Sequence, residues 1–124
     1  MRSVSGIPSD SEAVTRGIRV NVRSRYVPER SRPMMNEGSE TVQLVSRQWL
    51  ITDAEGHTEE VRGPGVVGEQ PVLAPGESFE YTSACPLTTP FGSMRGAYQM
   101  VTEGGERFDA EIAPFQLAEP YAIN

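Results

Sequence analysis

The sequence contains no lysine, one cysteine and one histidine. A single thiol excludes an internal disulfide or a zinc knuckle, and a single histidine leaves little material for imidazole metal sites or His-dependent nucleophilic triads. No apolar run approaches the ~18 residues of a membrane span, and the first thirty residues lack the apolar block of a signal peptide. These absences predict a soluble, cytoplasmic protein without a metal site, and they reveal no reaction.

Helical periodicity is missing as well. Apolar residues nowhere recur at three-and-four spacing, and 10 prolines with 12 glycines interrupt most candidate helices. Alternation with period two is present instead, most clearly at Ile18, Val20 and Val22. Short strands separated by turns predict an all-β protein, an immunoglobulin-like or fibronectin type III-like β-sandwich of two antiparallel sheets.

The predicted organisation is a flexible arm over residues 1–13, one sandwich domain over 14–118 and a tail over 119–124. Within the domain, residues 28–40 are expected to be loop, and a bulge near Ser46 or Arg47 is expected to join two strand registers. Residues 47–62 are predicted to form a hairpin. The other strands are predicted at residues 17–27, 78–84, 94–102 and 107–117.

Charge is unevenly distributed around a net value of -6. Residues 1–32 hold seven arginines and three acids, whereas residues 33–124 hold four arginines and fourteen acids. An acidic chain of this kind is not expected to bind nucleic acid or an anionic membrane. The single cysteine, Cys85, is expected to be a structural thiol because no His or Lys lies beside it in the sequence.

Residues 63–68, Gly-Pro-Gly-Val-Val-Gly, satisfy the string G-x-G-x-x-G. A dinucleotide site of the Rossmann type is excluded because Pro71 discourages the helix that such a site requires. Two interpretations stay open: a tight loop that joins the two sheets and in which glycine supplies positive φ, or a nest of amides that binds an anion. The candidate ligand-binding residues are Arg62, Gly63, Gly65 and Gly68, with Arg95 as a further cation.

A second candidate contact is Phe91, which lies between proline and glycine in a predicted turn. Such an aromatic either stands exposed for a partner or tucks under its own loop. The candidate partner-binding residues are Val66, Val67, Phe91 and Arg95, and a role in binding predicts that Phe91 and either Val66 or Val67 are exposed.

The strings GPGVVGEQP and PFGSMRG, within a match from about residue 14 to residue 117, resemble the ApaG family. The resemblance implies a fibronectin type III-like sandwich, a bacterial and cytoplasmic origin, protein contacts, and a link to cobalt resistance and magnesium efflux. It implies no enzymatic activity and no cofactor. Relative to the family, a long apolar strand is missing between Asn36 and Glu37, and Gln48 replaces a usual histidine.

The sequence therefore predicts a non-enzymatic interaction module that binds an unidentified protein through an edge strand or through loops at one end. The alternative is a protein that binds pyrophosphate or a dinucleoside polyphosphate at residues 63–68. Whether an exposed edge pairs two copies into a homodimer stays open.

Overall fold

The computed structural model of the protein describes residues 10–23, 32–81, 89 and 91–118. These residues form nine strands and no helix, and the strands lie in two antiparallel sheets, which confirms the predicted all-β class. The strands are β1 (Asp10–Thr15), β2 (Ile18–Arg23), β3 (Arg32–Asn36), β4 (Val42–Asp53), β5 (Thr58–Pro64), β6 (Val72–Leu73), β7 (Ser78–Phe79), β8 (Phe91–Thr102) and β9 (Arg107–Ala118).

The two sheets differ in size. The smaller has the order β1-β2-β3-β7, and its strands contain six residues or fewer. The larger has the order β5-β4-β8-β9, in which three strands contain twelve residues each, while β6 pairs with the beginning of β4. The larger sheet is therefore the frame against which the shorter strands pack.

A bulge in β4 sets which side chains of the larger sheet face the core. The register between β4 and β8 shifts between Leu44 and Ser46, which confirms the bulge predicted near this point. The shift turns Arg47 and Trp49 to the same face as Leu44. The buried core drawn from both sheets comprises Ile18, Val20, Met34, Val42, Leu44, Trp49, Val66, Leu73, Met94, Tyr98, Met100, Ala110, Ile112 and Phe115.

The prediction of a loop over residues 28–40 is wrong in its centre, because β3 lies there with Met34 buried. The strand β3 pairs with β2 on one side and with β7 on the other. The long apolar strand that the sequence lacks between Asn36 and Glu37 is therefore not needed as a partner for β2. The domain boundary predicted at residue 14 falls inside β1, which begins at Asp10. Residues 1–9 of the predicted arm, the predicted tail and Cys85 lie outside the described residues.

Asn36 joins the two sheets from a fully buried position. Its Nδ2 donates to the carbonyl oxygens of Glu40 and Leu73 at 2.8 and 2.9 Å, and its Oδ1 accepts the amide of Gly38 at 2.9 Å. Both side-chain donors and the acceptor are thus used, which offsets the cost of burying an amide. The consequence is a polar link between the end of β3 and β6.

The two ends of the described chain meet where β1 packs beside β9. Ser11 Oγ donates to the carbonyl of Ala113 at 2.7 Å, and the amide of Glu111 donates to Thr15 Oγ1 at 3.1 Å. These bonds satisfy backbone groups along the outer side of β9. The edge of β9 is therefore occupied by side chains of β1.

A pair of tyrosines lies against the tryptophan in the core. The hydroxyls of Tyr81 and Tyr98 are 2.6 Å apart, and the ring of Trp49 meets the ring of Tyr98 edge-on at 6.0 Å between centroids. Burial raises the pKa of Tyr98 well above its usual value and also raises the pKa of Tyr81. Both hydroxyls consequently ionise at a higher pH in the folded protein than exposed tyrosines do, whose pKa is about 10.

Gly96 allows β4 and β8 to approach closely. A Cβ at this position would lie 2.0 Å from the carbonyl oxygen of Gln48. Because the strands would have to separate, we expect Gly96→Ala to lower the free energy of unfolding by roughly 2 kcal/mol or more. Gly104→Ala is the control, since its nearest neighbour would be Thr102 Oγ1 at 3.8 Å. Urea unfolding measures both variants, and equal losses would contradict the close approach.

The tyrosine pair also predicts a loss of stability at alkaline pH. Above pH 10 the unfolded chain releases protons that the folded Tyr81 and Tyr98 keep, so the free energy of unfolding should fall there and stay constant below about pH 9. The expected slope is up to about 1.4 kcal/mol per pH unit for each such tyrosine. No lysine titrates in this range to mask the effect.

Tyr81→Phe is the matched variant for that experiment. It should reduce the alkaline slope and leave the contribution of Tyr98 in place, as measured by denaturant unfolding from pH 8 to pH 12. The same slope in both proteins, or no decline in the native protein, would contradict the assignment.

Candidate functional site

The segment that follows β5 is a tight turn over residues 65–69, called here the 65–69 turn. The backbones of Val66 and Glu69 exchange two hydrogen bonds of 2.8 Å, and the two residues between them have positive φ, 43° at Val67 and 82° at Gly68. Two consecutive residues with positive φ between paired neighbours are the signature of a type I′ turn. The glycine-rich string therefore builds a two-residue hairpin turn with glycines at positive φ, as expected for a tight loop. It connects β5 to β6 within the larger sheet, so the prediction that it joins the two sheets is wrong.

Two residues fix this turn to the body of the protein. Val66 is 0% exposed and belongs to the core. Gly65 has a φ of 57°, and a Cβ there would lie 2.1 Å from the carbonyl oxygen of Glu69. Of the two candidate valines Val66 is thus the buried one and cannot contact a partner, because the turn points it inward and its neighbour Val67 outward.

Val67 is the side chain that the turn presents to solvent, with 55% of its surface exposed. It is also a β-branched residue at positive φ, a conformation that costs on the order of 1–3 kcal/mol. Asparagine and glycine adopt this conformation with far less strain and are the usual residues of type I′ turns. Val67 therefore combines an exposed apolar surface with a strained backbone.

Arg47, on the inner face of β4, binds the backbone where the 65–69 turn begins. Its Nη1 donates to the carbonyl oxygens of Pro64 and Gly65 at 3.0 and 2.9 Å. Gly63 leaves room for the guanidinium, since a Cβ there would lie 2.9 Å from Nη2. Arg47 was not predicted as a site residue, and the bulge that turns it inward was the only available signal.

The candidate anion-binding glycines have little hydrogen-bonding capacity to offer. The amide of Gly65 donates to Val45 at 2.8 Å, and Gly63 stands opposite Arg47 in the ladder between β4 and β5. The amide of Val66 is bonded within the turn. Gly68 lies at the apex of the turn, apart from the two glycines nearer the sheet. The structure therefore gathers these residues in one loop without aiming their amides at one point.

The candidate cations do not converge on the turn either. Arg62 Nε donates at 2.7 Å to Glu60, which lies further from the turn along β5. Gln48 donates to the same Glu60 oxygen at 2.7 Å. Both hydrogen bonds lower the pKa of Glu60, and the bond from Gln48 has the larger effect. Arg95 is exposed on β8 opposite Leu50, roughly 10 Å along β4 from the level of Gly63.

Phe91 lies at the opposite end of the larger sheet. It begins β8 opposite Ala118 and is half-buried, and the following Gly92 stands opposite Asp53 at the end of β4. The distance along β4 from this point to Val45, which accepts the amide of Gly65 at the base of the turn, is roughly 25 Å. Phe91 and Val67 therefore do not belong to one surface.

Metal ligands are sparse in the part of the chain that the structure describes. No group of three His, Cys, Asp or Glu side chains there is arranged to hold an ion. His57 is exposed beside Asp53 in the β4–β5 turn. No helix among the described residues is long and apolar enough to cross a membrane.

Comparison with known proteins supports one family assignment. The ApaG domain profile matches residues 22–102. Protein ApaG of Anaeromyxobacter sp. strain K is 56% identical over 124 residues, which cover 92% of this chain and 99% of the relative. Protein ApaG of Rhodopseudomonas palustris strain TIE-1 is 55% identical over 120 residues, which cover 87% of this chain and 92% of the relative.

A solved structure is also similar to this chain. The X-ray structure of a Northeast Structural Genomics Consortium target is similar with a TM-score of 0.77 and 44% identity, covering 87% of this chain and 91% of that chain. In the alignment with the Anaeromyxobacter protein, 124 positions draw on about 114 residues of this chain, so about ten positions of the relative have no counterpart here. The sequence, the fold and these comparisons together show that the chain belongs to the ApaG family.

Proposed function

We propose that the protein is a non-enzymatic interaction module that binds another protein through the 65–69 turn, with Val67 as the central apolar contact. The observation that carries this proposal is the combination of exposure and positive φ at one β-branched residue. Backbone strain at an exposed position does not serve the stability of the fold. We infer that the side chain of Val67 serves a contact outside the fold.

The surroundings of Val67 favour a rigid contact. Val66 anchors the turn in the core, and Arg47 holds the carbonyls of Pro64 and Gly65, which come directly before it. A loop that is already ordered loses little conformational entropy when it binds. Val72, which is exposed in β6 on the same flank of β4, extends the apolar surface available to a partner.

The proposal predicts opposite effects on stability and on binding. Val67→Asn should raise the free energy of unfolding by about 1 kcal/mol because asparagine tolerates positive φ, yet it should weaken the partner contact. Val14→Asn is the control, because Val14 is 51% exposed and lies on β1, away from the turn.

Binding can be measured with a photo-crosslinking side chain at Glu69, which is exposed beside Val67. In cells that express the protein, we expect a defined crosslinked product that disappears when Val67→Asn is added to the probe chain and persists with Val14→Asn. A crosslinked product that persists in Val67→Asn would contradict the proposal. A lower free energy of unfolding in Val67→Asn would contradict it as well.

The alternative function, binding of pyrophosphate or a dinucleoside polyphosphate, has less support. The amides of Gly65 and Val66 already have backbone partners, and Arg62 is bonded to Glu60. Only the apex of the turn and the nearby charge of Arg47 favour an anion there.

We therefore expect no saturable amide shifts at Gly63, Gly65 or Gly68 when the protein is titrated with millimolar pyrophosphate and followed by NMR. Saturable shifts that Arg62→Ala abolishes would restore the polyphosphate hypothesis. Shifts that survive in Arg62→Ala would point to the turn amides alone.

A further inference from the structure

The strand β5 is an edge of the larger sheet with its side chains in solvent. Every residue from Thr58 to Pro64 is exposed, apart from Gly63, which is half-buried. The apolar Val61 is 37% exposed there. The opposite edge, β9, is occupied by hydroxyl groups of β1, whereas no strand among the described residues pairs with the outer side of β5. An edge of this length is a template for a further strand.

The pairing register between β4 and β5 determines which backbone groups of β5 face outward. The amide of Asp53 donates to His57 at one end of the ladder, and the amide of Gly65 donates to Val45 at the other. Hydrogen-bonded pairs alternate along an antiparallel ladder, so the odd-numbered residues of β5 bond to β4. The amides and carbonyls of Thr58, Glu60 and Arg62 therefore point to the outer edge, together with the carbonyl of Pro64.

We propose that β5 pairs antiparallel with β5 of a second copy of the chain, so that Glu60 lies opposite the partner's Arg62. In this register Val61 lies opposite the partner's Val61, and the two-fold axis passes between them. Thr58 then lies opposite the partner's Pro64, whose carbonyl can accept the threonine amide. The two larger sheets join into one continuous sheet.

Charge selects this register from its neighbours. Outward-facing residues must pair with outward-facing residues, so the pairing can slide only in steps that keep even-numbered residues opposite each other. One step in one direction places Glu60 opposite the partner's Glu60, and one step in the other places Arg62 opposite the partner's Arg62. Directly opposed like charges destabilise a strand pair, whereas the proposed register opposes unlike charges twice.

The side chains are already arranged for such a contact. Arg62 Nε lies 2.7 Å from Glu60 Oε2 within one chain, on the outer face of the sheet. In the pair, each arginine would lie between its own Glu60 and that of the second copy, giving a closed ring of four alternating charges. Val61 on the inner face would lose its exposure in the closely spaced, non-hydrogen-bonded pair at the axis.

The test is a charge exchange followed by sedimentation velocity over a range of protein concentrations. The native chain should show a concentration-dependent dimer. Glu60→Arg alone and Arg62→Glu alone each oppose like charges at two places, so each should weaken dimerisation by roughly tenfold or more. An equimolar mixture of the two variants should form a heterodimer, since one chain then carries two arginines at positions 60 and 62 and the other carries two glutamates there.

Arg107→Glu is the control, because it changes the charge equally at an exposed site on β9 and should dimerise like the native chain. Circular dichroism checks that every variant is folded. A native chain that stays monomeric at millimolar concentration would overturn the proposal, and so would single variants that dimerise normally or a mixture that does not associate. None of these outcomes depends on Val67, so the self-pairing and the partner contact at the 65–69 turn can fail separately.

Discussion

The pairing of β4 with β8 along their whole length is the interaction on which the rest of the structure depends. It places β5, β6 and β9 beside a twelve-residue frame and fixes the core face of the larger sheet. The bulge at Val45 lets one strand serve two purposes, because it delivers Leu44 and Trp49 to the core and Arg47 to the base of the 65–69 turn. The candidate site is thus a product of the central ladder.

Side chains cover the backbone groups at some strand ends and edges and leave others open. Asn36 satisfies the backbone where β3 meets β6, and the hydroxyls of Ser11 and Thr15 do so along β9. The flank formed by β5 and the 65–69 turn has no such cover among the described residues, and its exposed valines lie there. Both proposed contacts fall on this flank because the fold leaves it open.

Alternation and turn residues were sufficient to predict β2, the β4–β5 hairpin, β8 and β9, whose apolar positions recur with period two. They were insufficient for β3, where Met34 is the only described apolar side chain that enters the core. In β1 the buried inward residue is Ser11, whose polarity concealed the strand. The adjacent Val66 and Val67 are indistinguishable in sequence, since only the type I′ geometry decides which one is buried.

The contact between β1 and β9 also has a consequence for how the chain is made. Ser11 and Ala113 are bonded although almost the whole chain separates them, so loop-closure entropy must be overcome before this pair forms. The sandwich cannot close until the last strand has left the ribosome. The earlier strands therefore wait for β9 with unpaired edges, which favour aggregation.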